Sequence, residues 1–244
     1  MSTSNLLPIQ VWGLGGPNPP RVAILLSELH LPYEITNIPF SQVKTPEYLA
    51  INPNGRLPAI RDPNNADLTL WESGAIIEYL IERYDTNHHL SFEPGTPEAY
   101  HAKQWLFFQA TGQGPYYGQL GWFKLFHQEK VPSAVARYLA EVNRVTGVLD
   151  GWLAKQETGA GGPWLVGGKM SYADLAFVSW QAVVAHVTTK EEYDLDQYPH
   201  AKAWLEKMNK LESVSTLSRT PESPMASVTR YRGVLDDLLR SCEG

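Results

Sequence analysis

The pattern of apolar and polar positions changes character about a third of the way along the chain. Up to Tyr84, short runs of strand-favouring residues, PIQVWGL, YEITNI, RLPAIRD and LTLW, are interleaved with segments whose apolar residues return at helical spacing. Asn18 and Pro19 read as an N-cap and first helical position, after which Val22, Leu25, Leu26 and Leu29 define one buried helix face. TPEYLAIN reads as a short helix, and DPNNAD as the turn between the last two strands. Beyond Ser73, the stripe of Ile76, Ile77, Leu80, Ile81 and Tyr84 predicts another amphipathic helix. The order strand, helix, strand, helix, strand, strand, helix predicts a parallel unit followed by a hairpin, an α/β layer.

After Tyr84 the stretch DTNHHLSFEPGTPEA keeps no period and reads as a linker. From there the pattern is helical: AYHAKQWLFFQATGQ, SAVARYLAEVNRVTGVLDGWLAK, SYADLAFVSWQAVVAHV, PHAKAWLEKMNKL and MASVTRYRGVLDDLLR are the predicted helices. The fold class is therefore α/β followed by all-α, with domains expected over residues 1–86 and 98–244. No internal repeat is found, and the only biased stretch is the GAGGP loop from Gly159 to Pro163.

Composition narrows the chemistry. With 244 residues, 43% of them hydrophobic, the chain can fill a real core. Twenty basic against 26 acidic side chains give a net charge of −6, which argues against non-specific attraction to nucleic acid or an acidic membrane. No apolar run approaches the roughly 20 residues that span a bilayer. The start, MSTSNLLPIQ, lacks a basic flank and an apolar stretch, so a cytoplasmic address is expected. The single cysteine, Cys242, leaves no internal disulfide and no Cys-x-x-Cys pair, and no metal site is expected. Thiol chemistry here would need a thiol from outside.

Three segments carry candidate chemistry, each with a plainer reading. In GLGGPNPPRV, the start of a helix offers unpaired N–H groups and the positive end of a dipole, which stabilise a thiolate. Asn18 either offers its amide to that sulfur or caps the helix with its own oxygen. In INPNGRLPAI, Pro58 at a strand edge is a candidate for the cis isomer. Leu57 beside it either pairs its main chain with an extended peptide-like ligand or simply begins the strand. In LWESGAI, Ser73 caps the next helix or, with that helix start, holds a carboxylate, while Glu72 pairs with an adjacent ammonium. Arg56 adds a charge contact or is an ordinary surface arginine.

In this order within about 80 residues these elements form a specific combination, and the chain resembles the glutathione transferases. GPNPPRVAI, PEYLAINPNGRLPAI, LTLWESGAI, QWLFFQATGQGPYYGQ, AVARYLAEVNRVTGVLD and WLVGGKMSYADLAFVSW carry the likeness, which covers almost the whole chain. It is closest to the fungal transferases similar to the yeast nitrogen regulator known as a prion protein, and to bacterial Nu-class relatives.

The resemblance implies a thioredoxin-like N-terminal domain, a helical C-terminal domain, bound glutathione and a homodimer. It places Asn18 near the glutathione sulfur, Leu57 and Pro58 at the cysteinyl part, and Glu72 with Ser73 at the γ-glutamyl end, with Arg56 beside them. Where the family usually has a His or Gln reaching the glycyl carboxylate this chain has Val43, leaving Gln42 or Lys44 as replacements. No tyrosine, serine or cysteine stands at the turn, and Ser2 and Ser4 lie too far upstream, so sulfur activation would rest on Asn18 and the helix start.

In the second domain SYADL reads as a capping box, Ser171 with Asp174, flanked by Met170 and Leu175 as a hydrophobic staple. In QATGQGPYYGQLGWF, Gly112, Gly114 and Pro115 interrupt a helix beside Tyr116, Tyr117, Trp122 and Phe123. These aromatics form a substrate pocket, with Trp12 and Leu14 as walls from the first domain, or they belong to the core or a dimer contact. The expected function is transfer of glutathione to a hydrophobic electrophile, as in detoxification. The alternatives are glutathione-dependent disulfide or peroxide reduction, and cis-trans isomerisation in a fungal secondary-metabolite pathway. A regulatory or carrier protein that binds glutathione without chemistry is the rival, disfavoured in its prion-type form because the chain starts almost at its first strand.

Overall fold

The strand-favouring runs become β1 (Ile9–Trp12), β2 (Tyr33–Thr36), β3 (Ala59–Asp62) and β4 (Leu68–Trp71), in the order β2-β1-β3-β4. The computed structural model describes residues 5–156 and 161–219. β1 pairs parallel with β2, from Ile9 opposite Tyr33 to Trp12 opposite Thr36, and antiparallel with β3, while β3 and β4 form the hairpin. α1 (Asn18–Glu28) makes the crossover between the parallel strands, α2 (Pro46–Leu49) is one short turn, and α3 (Ser73–Tyr84) follows the hairpin. This is the predicted parallel unit plus hairpin, a mixed sheet of thioredoxin-like order.

α1 buries more than the one face its period predicts: Val22, Ala23, Ile24, Leu25 and Leu26 are all buried. The reason is a second partner, since α1 packs against α3 on one side and against helices of the second domain on the other. α3 is tied to β3 by Asp62, which is fully buried and accepts from the Tyr84 hydroxyl at 2.5 Å, from Tyr79 and from the Asn64 backbone N–H at 2.8 Å.

Residues 85–96 hold no helix or strand, as the lack of period predicts, but they are firmly tied. The Asp85 carboxylate accepts from the N–H groups of His89 and Leu90 at 2.8 and 2.9 Å, and the Leu90 carbonyl accepts from Tyr172 N at 2.8 Å.

The helical domain comprises α4 (Pro97–Phe108), α5 (Gly114–Leu125), α6 (Pro132–Leu153), α7 (Tyr172–Val187), α8 (Pro199–Met208) and α9 (Glu212–Arg219). Between α4 and α5 lies a π-helical turn over Gln109–Gln113, where the sequence predicts an interruption. Pro115 has no N–H to donate to the residue four back, and Gly112 yields easily, so the ladder widens by one residue instead of breaking. α7 is the central helix, buried along nearly its whole length, and its start carries the predicted capping box, with Asp174 reaching back to Ser171 N at 3.0 Å. α9 has no counterpart in the sequence pattern, because ESVSTLSR is short and polar. The predicted helix MASVTRYRGVLDDLLR, Cys242, and Gly159 with Ala160 of the glycine-rich loop lie outside the described residues. Among the described residues no helix is long and apolar enough to cross a membrane, and no cluster of metal-ligating side chains is found.

Candidate functional site

α1 begins one residue earlier than its sequence suggests: Pro17 stands at the cap position and Asn18 is the first helical residue. The Asn18 side chain does not cap its own helix. Its Oδ1 accepts a hydrogen bond from the indole Nε1 of Trp180, on α7 of the other domain, at 2.9 Å. A β-carbon on Gly114 or Gly118 would stand 3.5 or 3.2 Å from the Trp180 indole, so α5 is notched to receive that ring. With its oxygen occupied, the amide of Asn18 is left with Nδ2 as its donor group. Pro19 and Pro20 follow directly and have no N–H, so the helix start offers fewer backbone donors than a helix start usually does.

Leu57-Pro58 is a cis peptide, the candidate isomer of the sequence analysis. Neither the N–H nor the C=O of Leu57 has a main-chain partner among the described residues, leaving both for an added strand. Gly13 explains how β1 and this turn fit together: its φ is +102°, and a β-carbon there would lie 2.8 Å from the Leu57 side chain. The neighbouring Arg56 has an exposed side chain, while its carbonyl accepts from Tyr48 Oη at 2.8 Å and Asn52 Nδ2 at 2.7 Å.

The segment around Val43 packs against the same turn. Lys44 Nζ donates to the Asn54 carbonyl at 2.8 Å, and Gln42 is exposed. Gly55 has φ +58°, and a β-carbon on it would approach the Val43 carbonyl oxygen to 2.6 Å. Gly55→Ala is therefore expected to lower stability by about 1–3 kcal/mol, from left-handed strain plus a backbone clash. Urea unfolding measures this, and an unchanged midpoint would mean that the two segments are not locked together.

At the start of α3, Glu72 occupies the cap position with φ +69° and Ser73 is the first helical residue, so the Ser73 hydroxyl does not cap the helix. Asn54 Nδ2 donates to Glu72 Oε1 at 3.2 Å and steadies that exposed carboxylate. Ser73 is buried, and its Oγ accepts from Nη2 of Arg21, a buried side chain on α1. The other terminal nitrogen of Arg21 donates to Gln109 Oε1 in the π turn. Burial lowers the Arg21 pKa to about 10, against the opposing pull of Glu72.

The structure thus gathers Asn18, Leu57, Glu72 and Ser73 on the ends of α1, β3 and α3, with Lys44 behind the cis-proline turn. Tyr117, expected as a pocket wall, belongs to the core instead. It is 3% exposed and its hydroxyl meets Thr146 Oγ1 at 3.0 Å and Gln181 Oε1 at 3.2 Å, with burial pushing its pKa up. Tyr116 is half-buried against Tyr138, with ring centres 6.4 Å apart, and Trp122 is half exposed beside Phe126. Phe123 stacks on Tyr138 at 5.7 Å. Trp12 and Leu14 are half-buried, Leu14 against the main core. A groove between α4 and α6, lined by Trp105, Phe108, Val148 and Trp152, is bordered by none of these expected wall residues.

Sequence reasoning missed Arg21, Asn54, Gln109 and Trp180. A charged residue opening the apolar run RVAILL was a usable signal for Arg21. Trp180 had none, standing 162 residues from Asn18.

Comparison with known proteins gives the same architecture. The family model for the glutathione S-transferase N-terminal domain matches residues 14–88, and that for the C-terminal domain matches residues 115–212. The glutathione S-transferase-like protein gedE of Aspergillus terreus is 65% identical over 214 residues, spanning 86% of this chain and 94% of the relative. The glutathione S-transferase-like protein tpcF of Aspergillus fumigatus is 60% identical over 207 residues, 84% of this chain and 92% of the relative. Among solved structures, the glutathione transferase URE2P8 from Phanerochaete chrysosporium, crystallised with oxidized glutathione, superposes with a TM-score of 0.81 at 39% identity, covering 94% of this chain and 99% of that one. With both domain models matched and relatives of this identity along most of its length, the chain belongs to the glutathione S-transferase family.

Proposed function

We propose that the chain binds glutathione along the edge formed by α1, the cis-proline turn and α3, and uses its thiolate to attack a hydrophobic electrophile. The γ-glutamyl carboxylate lies on the Ser73 hydroxyl and the start of α3, and its ammonium turns to Glu72. The cysteinyl main chain pairs with Leu57, and the sulfur comes to Asn18 Nδ2. Lys44 is the better of the two candidates for the glycyl carboxylate, because its ammonium is anchored beside Gly55 and keeps further donors free. Attack then needs no protein nucleophile. Binding brings the two reactants together and the amide stabilises the thiolate, so proximity and a lowered thiol pKa supply the rate.

The observation that carries this reading is the Asn18 amide, turned by Trp180 so that a donor remains at the helix start. A second reading, glutathione-dependent disulfide reduction, is favoured by the oxidized glutathione in the crystal of the Phanerochaete relative. A second glutathione would then release the first from a mixed disulfide. Isomerisation of a conjugated alkene would use the same thiolate, adding it and expelling it after bond rotation.

Calorimetric titration with glutathione tests the shared premise, and transfer, disulfide reduction and alkene isomerisation assays sort the chemistries. Binding with silence in all three assays would favour a carrier; no heat at millimolar glutathione would end the proposal. Glu72→Gln is expected to weaken glutathione about tenfold or more by removing the partner of the ammonium. Equal affinity in the two proteins would remove Glu72 from the site. The exposed Tyr100 and Phe107, seven residues apart on α4, offer an apolar face to a second copy, and sedimentation tests the expected homodimer.

A further inference from the structure

Arg21 is a cation in an unusual position. It is 4% exposed, its two terminal nitrogens donate only to the neutral oxygens of Ser73 and Gln109, and its Nε has no partner among the described residues. No carboxylate forms an ion pair with it there; Glu72 acts on it only from a distance. A buried charge with neutral partners alone is expensive to keep.

Its surroundings are polarised to suit it. Arginine is donor-only, so Gln109 must present its oxygen and send its Nε2 onward to Gln113 Oε1 at 3.0 Å. Gln113 Nε2 donates to Gln181 Oε1 at 3.0 Å, and Gln181 Nε2 donates to Tyr193 Oη at 2.7 Å and Thr146 Oγ1 at 3.1 Å. Every amide in this buried row turns its negative end toward the guanidinium. These dipoles ease the charge without cancelling it.

The contact with Ser73 has a directional consequence. Its Oγ already accepts from Arg21, and no acceptor for its proton is found among the described residues. The hydroxyl is thereby left as a donor, with its proton turned away from Arg21 at the start of α3.

We propose that Arg21 is the positioning residue for a carboxylate at the start of α3: it makes Ser73 a one-way donor and supplies the unneutralised positive charge that selects an anionic group there. This rests on the glutathione reading and assigns Arg21 the task of recognising the α-carboxylate of the γ-glutamyl end. Arg21 acts through Ser73 and through space, without touching the ligand.

The test uses three tripeptides in calorimetry: glutathione, its analogue without the α-carboxylate (4-aminobutyryl-cysteinylglycine), and its analogue without the α-amine (glutaryl-cysteinylglycine). The wild type is expected to prefer glutathione over the first analogue by about tenfold or more. In Arg21→Met that preference should shrink towards unity, while the preference over the amine-lacking analogue stays at its wild-type value. Gln109→Glu gives a second route: it places a carboxylate on the guanidinium while leaving Arg21 in place, and it too should lose the carboxylate preference. If Arg21→Met fails to fold, as thermal unfolding would reveal, Gln109→Glu decides alone. The proposal is overturned if the variants weaken all three peptides equally, as a merely structural role requires, or if the carboxylate preference survives. If the wild type binds none of the three, the glutathione reading itself is wrong and this assignment falls with it.

Discussion

Replacing Asp174 by alanine should destabilise the protein by about 4 kcal/mol or more, because four buried donors lose their acceptor at once. One oxygen of this carboxylate accepts from Leu165 N at 3.1 Å and from the Trp204 indole at 3.0 Å; the other accepts from Ser171 N at 3.0 Å and Ser171 Oγ at 3.1 Å. Asp174, Ser171, Leu165 and Trp204 are all 0% exposed, so water cannot replace the lost partner cheaply. The loss falls on the start of α7, the helix against which α1, α4, α5 and α8 pack. A cooperative fold of this size should melt roughly 10 °C lower or more. Thermal and urea unfolding of Asp174→Ala beside wild type give the answer. A melting point within a degree or two would mean that the carboxylate is not what holds this helix start.

Asn18→Ala should raise the apparent thiol pKa of bound glutathione by about 1–2 units, the worth of one hydrogen bond to a charged group. The size follows from how little else is present at that position. Pro19 and Pro20 remove two backbone donors from the helix start, so the side-chain amide carries more of the stabilisation than in a helix without them. Trp180→Phe should move the pKa in the same direction by less. It keeps a ring between Gly114 and Gly118 but frees the Asn18 oxygen, so the amide can rotate and present the wrong atom to the sulfur. Ultraviolet absorbance of the thiolate, titrated against pH with glutathione bound, measures both variants. A curve that does not move in Asn18→Ala would exclude the amide as the sulfur's partner. An additive double variant would mean that Trp180 acts independently of Asn18.

The first domain was legible because its signals are local. Strand runs, prolines and apolar stripes are each written within a few neighbouring residues, and the hairpin and the crossover helix follow from them, while the cis bond at Leu57-Pro58 was one of two open readings and that at Gly162-Pro163 had no signal. The helix starts were read one residue late at both Asn18 and Ser73, since a polar side chain at a helix start looks like a cap whether or not it caps. What stayed hidden depends on packing between distant segments. Tyr116 and Tyr117 are adjacent and equally aromatic in sequence, and only the placement of α6 and α7 sends Tyr117 inward to Thr146 and Gln181 while Tyr116 stays half outside. Arg21 and Gln109 are 88 residues apart, and no periodicity links them.

The π turn over Gln109–Gln113 takes up one surplus residue without turning the helix that follows it. Removing one residue there would restore an unbroken α-helical ladder from α4 into α5 and leave α5 nearly in phase, because residues in the wide turn advance by roughly 80° each instead of the roughly 100° of an α-helix. The notch at Gly114 and Gly118 would still face the indole, but Gln109 and Gln113 would stand three positions apart instead of four, and the bond from Gln109 Nε2 to Gln113 Oε1 would lose its spacing. One surplus amino acid in a single helical turn thus keeps the buried amides in step, and a deletion at the exposed Thr111 would be felt along the row that ends on Arg21.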